Sequence, residues 1–186
     1  MAIVLFLGQD VKEYTEKKEE MLGRYISEGG ICCEFCTKSM RRHSSYTRGI
    51  KETGEKLEIT LVHCRDCVNF HALLPDFILP HKQYGANEIE GVVIDGQTLP
   101  VTQIDTAASE STARRWIRVI NENLKNAISI LKYLFETSLV MTDWEATAYG
   151  EMEQVLFMAP ERINTSGNRL GWANIWLGTH IRSVLI

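Results

Sequence analysis

The sequence predicts an α+β protein in which a small β-hairpin module precedes a mostly helical domain. Residues 57–63 alternate apolar and polar side chains with the period of a β-strand. Two C-x-x-C pairs flank the hairpin region, at Cys33 and Cys36 and at Cys64 and Cys67. Further along the chain, apolar residues recur at spacings of three and four, which is the period of an α-helix.

The composition is that of a globular protein with one compact unit or two small ones. The chain has 186 residues, of which 45% are hydrophobic and 24% are charged. No stretch reaches the roughly 18 consecutive apolar residues that a membrane-spanning helix requires. The apolar segment Ala2–Gly8 lacks a basic leader and a small-residue cleavage site, so we expect a buried strand rather than a signal peptide. These features predict a cytoplasmic protein with reduced thiols and no membrane partner.

A charged helix and a hairpin are predicted in the first half of the chain. Asp10 and Glu13 have the spacing of a capping box at the start of a helix over residues 10–27, which Gly29-Gly30 would close. Residues 52–55 are expected at the turn of the hairpin. Residues 73–80 contain two prolines, so they fit an extended connector better than a helix.

The second half of the chain is predicted to be mostly helical. Short helices are expected over residues 84–96 and 101–108, followed by a long helix that Ser109 or Ser111 caps. The long helix carries an apolar stripe of residues Ile117, Ile120, Leu124, Ala127, Leu131 and Leu134. This stripe predicts the core of a helical bundle or, alternatively, a surface from Ser111 to Leu139 that pairs with a second copy or a partner protein.

Four segments follow from these boundaries. Residues 1–30 hold the N-terminal strand and charged helix, residues 31–82 hold the hairpin module, residues 83–140 form the helical domain, and residues 141–186 form a C-terminal helical tail. The acidic residues of the tail are expected on a solvated helix face rather than in a metal-binding carboxylate set; they are Asp143, Glu145, Glu151 and Glu153. With neither a P-loop nor a G-x-S-x-G motif in the sequence, we predict a protein that is not an enzyme.

The cysteine pairs are the strongest chemical signal in the chain. Two residues between thiolates allow one tight turn to direct both sulfur atoms at a shared ion, and two such turns give a tetrahedral site. We therefore predict a zinc ribbon with one structural Zn²⁺, whose ligands are Cys33, Cys36, Cys64 and Cys67. His63 and His71 flank the second pair and are alternative ligands, whereas Cys32 is expected to be a small packing residue.

Positive charge is concentrated in one segment of an otherwise acidic chain. The formal net charge is -4, yet residues 37–51 carry five basic residues and no acid. Such basic and aromatic side chains contact phosphates and stack on bases, which predicts a DNA contact at Lys38, Arg41, Arg42, His43, Tyr46, Arg48 and Lys51. The alternative is a solvated hairpin face with surplus cationic side chains.

A second DNA contact is predicted at the start of the long helix. The helix over 101–108, a turn near Ser109 and the long helix would form a helix-turn-helix-like segment, whose second helix enters a major groove. The residues offered to DNA are Ser111, Thr112, Arg114, Arg115 and Arg118, while Trp116, Ile117 and Ile120 face inward. A plain amphipathic helix is the alternative.

Several motifs occur in a recognisable order along the chain. An apolar strand and a charged segment precede the first C-x-x-C pair, a His-x-x-Tyr-x-Arg element follows at His43, Tyr46 and Arg48, and the block Leu74-Pro-Asp-Phe-Ile-Leu-Pro-His-Lys-Gln-Tyr84 follows the second pair. Over residues 1–120 this order resembles the short transposase-related proteins of bacterial mobile elements, a domain-of-unknown-function family. The resemblance implies a zinc ribbon joined to a helix-turn-helix, with sequence-specific DNA binding at element ends or promoters.

These features together predict a zinc-stabilised DNA-binding protein related to transposases and without catalytic activity of its own. The alternative is a protein-interaction or dimerisation module in which the zinc ribbon is a scaffold. DNA binding predicts that the basic side chains share one face, whereas a scaffold predicts an exposed apolar patch.

Overall fold

The computed structural model of the protein describes residues 2–8, 10–27, 31–33 and 35–137, and for residues 124–137 it describes the backbone alone. The chain divides into two compact units, Met1–Gly85 and Ala86–Ile186. Among the described residues, the first unit has a four-stranded sheet and one α-helix, and the second has two α-helices. The fold is therefore a mixture of helices and strands, as the sequence predicts at this level.

The sheet of the first unit has the strand order β1-β4-β3-β2. Its strands are β1 (Ala2–Leu5), β2 (Arg41–Gly49), β3 (Lys56–His63) and β4 (Phe70–Pro75). Strands β2 and β3 form the predicted antiparallel hairpin, in which Arg41 lies opposite His63 and Gly49 lies opposite Lys56. Strand β4 pairs antiparallel with β3 and parallel with β1, so it lies inside the sheet.

Part of the segment expected to be an extended connector is a strand. Strand β4 continues through Leu73 and Leu74 to Pro75, which is the register partner of Leu5 in β1. Proline has no N–H to donate, which fits its place at the last residue of β4, where the strand ends. The connector prediction for residues 73–80 is therefore wrong for the first three of them, because partners on both sides stabilise the strand.

Helix α1 begins and ends close to the predicted bounds, at Val11 and Ser27. At its start, Asp10 Oδ1 accepts a hydrogen bond of 2.8 Å from the N–H of Glu13, as the capping pattern predicts. Tyr14 and Leu22 are each only 1% exposed and belong to the core of the first unit. This buried side fixes α1 to the sheet.

Two ion pairs show which face of the sheet α1 covers. Lys18 Nζ lies 2.7 Å from Glu58 Oε2, and Arg42 donates two hydrogen bonds of 2.7 and 2.8 Å to the carboxylate of Glu19. The Tyr14 hydroxyl also donates to the carbonyl of Glu58 at 2.8 Å. Helix α1 therefore lies on the face that carries the side chains of Arg42 and Glu58.

In the second unit, α2 (Ala86–Asp95) and α3 (Glu110–Thr137) are the predicted helices, but the short helix expected between them is absent from residues 101–108. Only Val101–Gln103 form a 3-10 turn, which ends where Ile104 becomes extended with φ -79° and ψ 126°. The following loop is held by Glu88, whose Oε1 accepts hydrogen bonds from Thr106 Oγ1 at 2.6 Å and from the N–H of Ala107 at 2.8 Å. These side-chain contacts replace the backbone bonds of a helix.

The apolar side of α3 belongs to the core of the second unit. Ala113, Trp116 and Ile120 are buried, whereas Ile117 is half-buried. The remaining stripe, from position 124 onward, lies outside the described side chains, so its role in a bundle core or a dimer stays a prediction. The tail, with its four carboxylates, lies outside the described residues, and the domain boundaries at 30, 82 and 140 also stay predictions. None of the described helices is long and apolar enough to span a membrane.

Candidate metal centre and DNA-contact residues

Both cysteine pairs lie in turns with the same backbone pattern. The N–H of Cys33 donates to the carbonyl of Lys38 at 2.9 Å, and the N–H of Cys64 donates to the carbonyl of Asn69 at 3.0 Å. The residue after the second cysteine has a positive φ in each turn, 59° at Thr37 and 56° at Val68. Two separate segments of the chain therefore fold into equivalent turns.

Thr37 and Val68 occupy a conformation that favours glycine. For an L-residue the left-handed region costs roughly 1–2 kcal/mol, and a β-branched side chain is especially rare there. Such strain persists where the surrounding structure holds the backbone in place. A shared ion between the two turns would hold them in this way.

The two turns bring four cysteine sulfurs together. The Sγ atoms of Cys33, Cys36, Cys64 and Cys67 all lie within 4.8 Å of one another. The Sγ atoms of Cys36 and Cys64 are 3.4 Å apart. Four thiolates at about 2.3 Å from a tetrahedral metal are about 3.8 Å apart, so the cluster fits a metal ion with little rearrangement. The four predicted ligands are thus confirmed as a possible metal site.

The pKa values of the cysteine thiols indicate that a cation is needed to ionise all four of them. Hydrogen bonding from the backbone of Cys67 lowers the pKa of the Cys64 thiol to about 7. Hydrogen bonding to Cys36, burial and the neighbouring Cys33 raise the pKa of Cys67 to about 12. Four adjacent thiols cannot all become thiolates without a cation, so a metal would bind in exchange for protons.

The remaining cysteine and the two flanking histidines lie outside this cluster. Cys32 is exposed, so the expectation that it is a small packing residue is wrong. Its backbone pairs with Ser39, and successive side chains of an extended segment point to opposite sides. The His63 ring stacks on Phe70 with 4.6 Å between ring centroids. His71 is buried and lies 6.4 Å from the ring of Phe35.

The predicted basic contacts of the hairpin fall into two groups. Arg42 is paired with Glu19, and Lys51 lies over the Tyr84 ring at 5.6 Å. Arg48 donates to the carbonyls of Leu79 and Lys82, and burial lowers its pKa. The other group is exposed and consists of Lys38, Arg41, His43 and Tyr46. Within the described part of the chain, Lys38 and Arg41 form no ion pair.

The predicted contacts on α3 are on its solvent-facing side. Arg114, Arg115 and Arg118 are exposed, as is Ser111, while Thr112 is half-buried. Arg114 pairs with Glu110 at 2.5 Å, and Arg118 lies 3.9 Å from Glu122. Each of these pairs joins residues four apart on an exposed helix, where such pairs contribute little stability. Arg115 has no ion pair among the described residues.

Fold and site together define a mixed α/β protein with a four-cysteine cluster of the kind that holds a metal. Residues 33–116, less than half of the chain, match the family model described as Domain of unknown function (DUF6431). The match begins at the first cysteine of the cluster and ends at the buried Trp116; the family description names no activity and gives no link to transposases. Neither the curated proteins nor the solved structures gave a significant match to the chain.

Proposed function

We propose that the protein is a DNA-binding protein stabilised by structural zinc and without catalytic activity of its own. Four thiolates at tetrahedral spacing are a common zinc set, and a set that is closed by protein ligands has no position for a substrate. The zinc would fix the two turns at the end of the hairpin and so act through folding.

The observation that carries the proposal is the division of α3 into a buried and a basic side. Trp116 and Ile120 anchor the helix in the second unit, while Arg114, Arg115 and Arg118 extend into solvent. A helix held in this way presents a rigid row of arginines, which bind phosphates and the edges of guanine. The weak pairs of Arg114 and Arg118 with glutamates are easily exchanged for phosphate.

The exposed hairpin residues support the same function. Lys38 and Arg41 are cations that phosphates can neutralise, and His43 and Tyr46 are partly exposed rings on the same strand. Recognition of element ends or of a promoter, in a protein related to transposases, rests on the resemblance of the motifs. The predicted helix-turn-helix lacks its first helix, because only Val101–Gln103 of residues 101–108 form a 3-10 turn, so α3 alone is the DNA-reading helix in this proposal.

The experiment is a comparison of duplex binding by two single variants. Arg115→Ala removes the arginine of α3 that forms no ion pair with the described residues, and Arg24→Ala removes an exposed arginine of α1 as the matched control. With duplexes from the flanks of the gene, Arg115→Ala weakens binding and lowers the salt slope by about one unit, whereas Arg24→Ala leaves both unchanged. Equal affinities of wild type and Arg115→Ala would contradict the role of α3.

A protein-interaction module is the second candidate, and the exposed apolar side chains of the cysteine turns favour it. Phe35 is 60% exposed and Val68 is 68% exposed. Contiguous exposed apolar surface marks contacts with other proteins, and the two turns that carry Phe35 and Val68 meet at the cysteine cluster. Sedimentation of the wild type and Phe35→Ser tests this candidate, because a self-association through the turns would disappear in the variant.

A further inference from the structure

The face of the sheet opposite α1, here called the open face, has a composition of its own. Directly paired residues share a face, so the register places Arg41, His63 and Phe70 together on three neighbouring strands. The bulge between Arg42 and Ser44 shifts the alternation of β2. Because of the bulge, β2 contributes five side chains to the open face, which are those of Arg41, His43, Ser44, Tyr46 and Arg48.

Three rings form a row across the open face near the cysteine cluster. Phe70 stacks on His63 with 4.6 Å between centroids and an angle of 27°. His43 contacts the same Phe70 edge-on at 4.9 Å. Phe70 is nevertheless 46% exposed, and Tyr46, further along β2, is 39% exposed. These two rings are therefore accessible to a partner.

The charge of the open face is entirely positive among the strand residues that the register assigns to it. Those positions are 41, 44, 46 and 48 in β2, 57, 59, 61 and 63 in β3, 70, 72 and 74 in β4, and 2 and 4 in β1, together with His43 by its ring contacts, and none is acidic. Leu57, Ile59 and Leu74 are buried, so the accessible part of this face lies around Arg41, Phe70 and Tyr46. By contrast, the face under α1 contains Glu58, which is paired with Lys18. The separation of acids to one side leaves the other side suited to an anion.

A cleft continues the open face toward the hairpin turn. Its volume is about 370 Å³, and its lining includes Tyr46, Arg48, Ala72, His81 and Lys82. Segment 79–83 forms one wall, because Arg48 donates hydrogen bonds to the carbonyls of Leu79 and Lys82. The volume lies within the range of small-molecule sites, about 300–1,000 Å³.

We propose that the open face binds unpaired nucleotides of a single-stranded nucleic acid, with bases stacked on Phe70, His43 and Tyr46 and phosphates near Arg41 and the cleft. Exposed rings alone would suit an apolar partner, but rings interleaved with cations and without acids suit a base attached to a phosphate. Stacking accepts any base, so this face would bind without sequence preference. The proposal rests on the proposed function and deepens it, because it adds unpaired ends or melted segments to the duplex contacted by α3.

The experiment measures the affinity of the metal-loaded full chain for two fluorescent probes, a blunt duplex and an oligothymidylate of about 12 nucleotides. Phe70→Ser is expected to weaken single-strand binding about 10-fold or more, while Phe70→Trp retains it, because serine removes one base stack and tryptophan keeps it. Arg41→Ala weakens it independently of the ring. Ile26→Ser changes an apolar residue of α1 that is 36% exposed, and it is the matched control with no effect. Metal content and circular dichroism show that each variant is folded.

The outcomes separate this inference from the proposed function. Duplex binding without single-strand binding would overturn the inference and leave the function of α3 standing. Single-strand binding that requires Phe70, without duplex binding, would support the inference and overturn the duplex proposal. Binding of neither probe overturns both. A concentration-dependent dimer that Phe70→Ser abolishes, with no single-strand binding, would show that a second copy covers the face and would also overturn the inference.

Discussion

The sulfur atoms of Cys36 and Cys64 lie 3.4 Å apart, although the residues are 28 positions apart in the chain. The contact joins the turn before β2 to the turn after β3, so the two ends of the hairpin meet at the cysteine cluster. Both cysteines belong to pairs whose turns share one backbone hydrogen bond, donated by the N–H of the first cysteine, and a positive φ after the second cysteine. A metal bound at the cluster would therefore hold the two ends of the hairpin together, in addition to the apolar core of the first unit.

Removal of the metal is expected to unfold the first unit. Structural zinc contributes roughly 10–16 kcal/mol in small domains, which is as large as the whole stability of a typical protein. Cys64→Ser should lose the metal and most of the β-sheet signal in circular dichroism, as should the wild type with a strong chelator. Cys32→Ser is the matched control, because Cys32 lies outside the cluster, and it should keep one metal ion per chain. An unchanged spectrum after complete metal removal would contradict this account.

Glycine at position 68 is expected to stabilise the protein. Val68 has a φ of 56° and is 68% exposed, so its replacement relieves backbone strain and loses little buried surface. Val68→Gly should unfold at a higher temperature than Val68→Ala, which keeps the Cβ. The difference between their free energies of unfolding should be about 1 kcal/mol. Thermal unfolding of the metal-loaded variants gives the comparison. If the two variants melt together, the left-handed turn is not present in solution.

Acid is expected to weaken the contact between α1 and β3. Hydrogen bonds from Lys18 and Ser45 hold the pKa of Glu58 below its ordinary value. A lowered carboxyl pKa gives stability above the unfolded pKa, near 4.3, and this stability is lost as pH falls through the folded pKa. Glu58→Gln should therefore be less stable at pH 7 and should depend less on pH between about 5 and 3.

Urea unfolding at several pH values measures this difference. Glu55→Gln is the control, because Glu55 is exposed at the hairpin turn and has no ion pair among the described residues. Its stability should follow the wild-type pH profile. A Glu58→Gln profile that is parallel to wild type would show that the Lys18 pair has no energetic effect.

Replacement of two glycines by alanine is expected to change the stability of the protein in opposite directions. Gly8 has a φ of 106°, and a Cβ there would lie 2.9 Å from the backbone nitrogen of Tyr14, so Gly8→Ala should destabilise the protein by more than about 1 kcal/mol. Gly23 lies inside α1 with open space around it, and Gly23→Ala should add about 0.5–1 kcal/mol. Denaturant midpoints test both. Equal effects of the two changes would contradict the path of the chain from β1 into α1.

Local signals explain which parts of the structure the sequence predicts. The hairpin, the capped helix α1 and the four cysteines each depend on residues that are close in sequence or on a short repeated motif. The parallel pairing of Ala2 with Ala72 has no such signal, because it joins the N-terminus to a strand 70 residues later. The 3-10 turn in place of a helix over 101–108 depends on contacts of Glu88, which periodicity does not reveal.

The sequence predicts the residue types of the candidate DNA contacts. It does not predict which of these side chains are already bonded to other parts of the fold. Arg42 and Arg48 are equivalent residue types in the sequence. In the structure Arg42 pairs with Glu19, whereas Arg48 donates hydrogen bonds to backbone carbonyls of segment 79–83. No sequence motif marks Phe70, because only the pairing of β3 with β4 brings it beside His63. Partners from distant segments decide these roles, so the composition of segment 37–51 overstates its available charge.

The salt dependence of duplex binding tests the central claim most directly. The affinity of the metal-loaded wild type for a duplex from the flanks of its gene should be measured from low to high salt. We expect the logarithm of the association constant to fall linearly with the logarithm of salt concentration, by about 0.9 for each phosphate contacted. An affinity that does not change with salt, or no binding at low salt, would contradict a DNA-binding function.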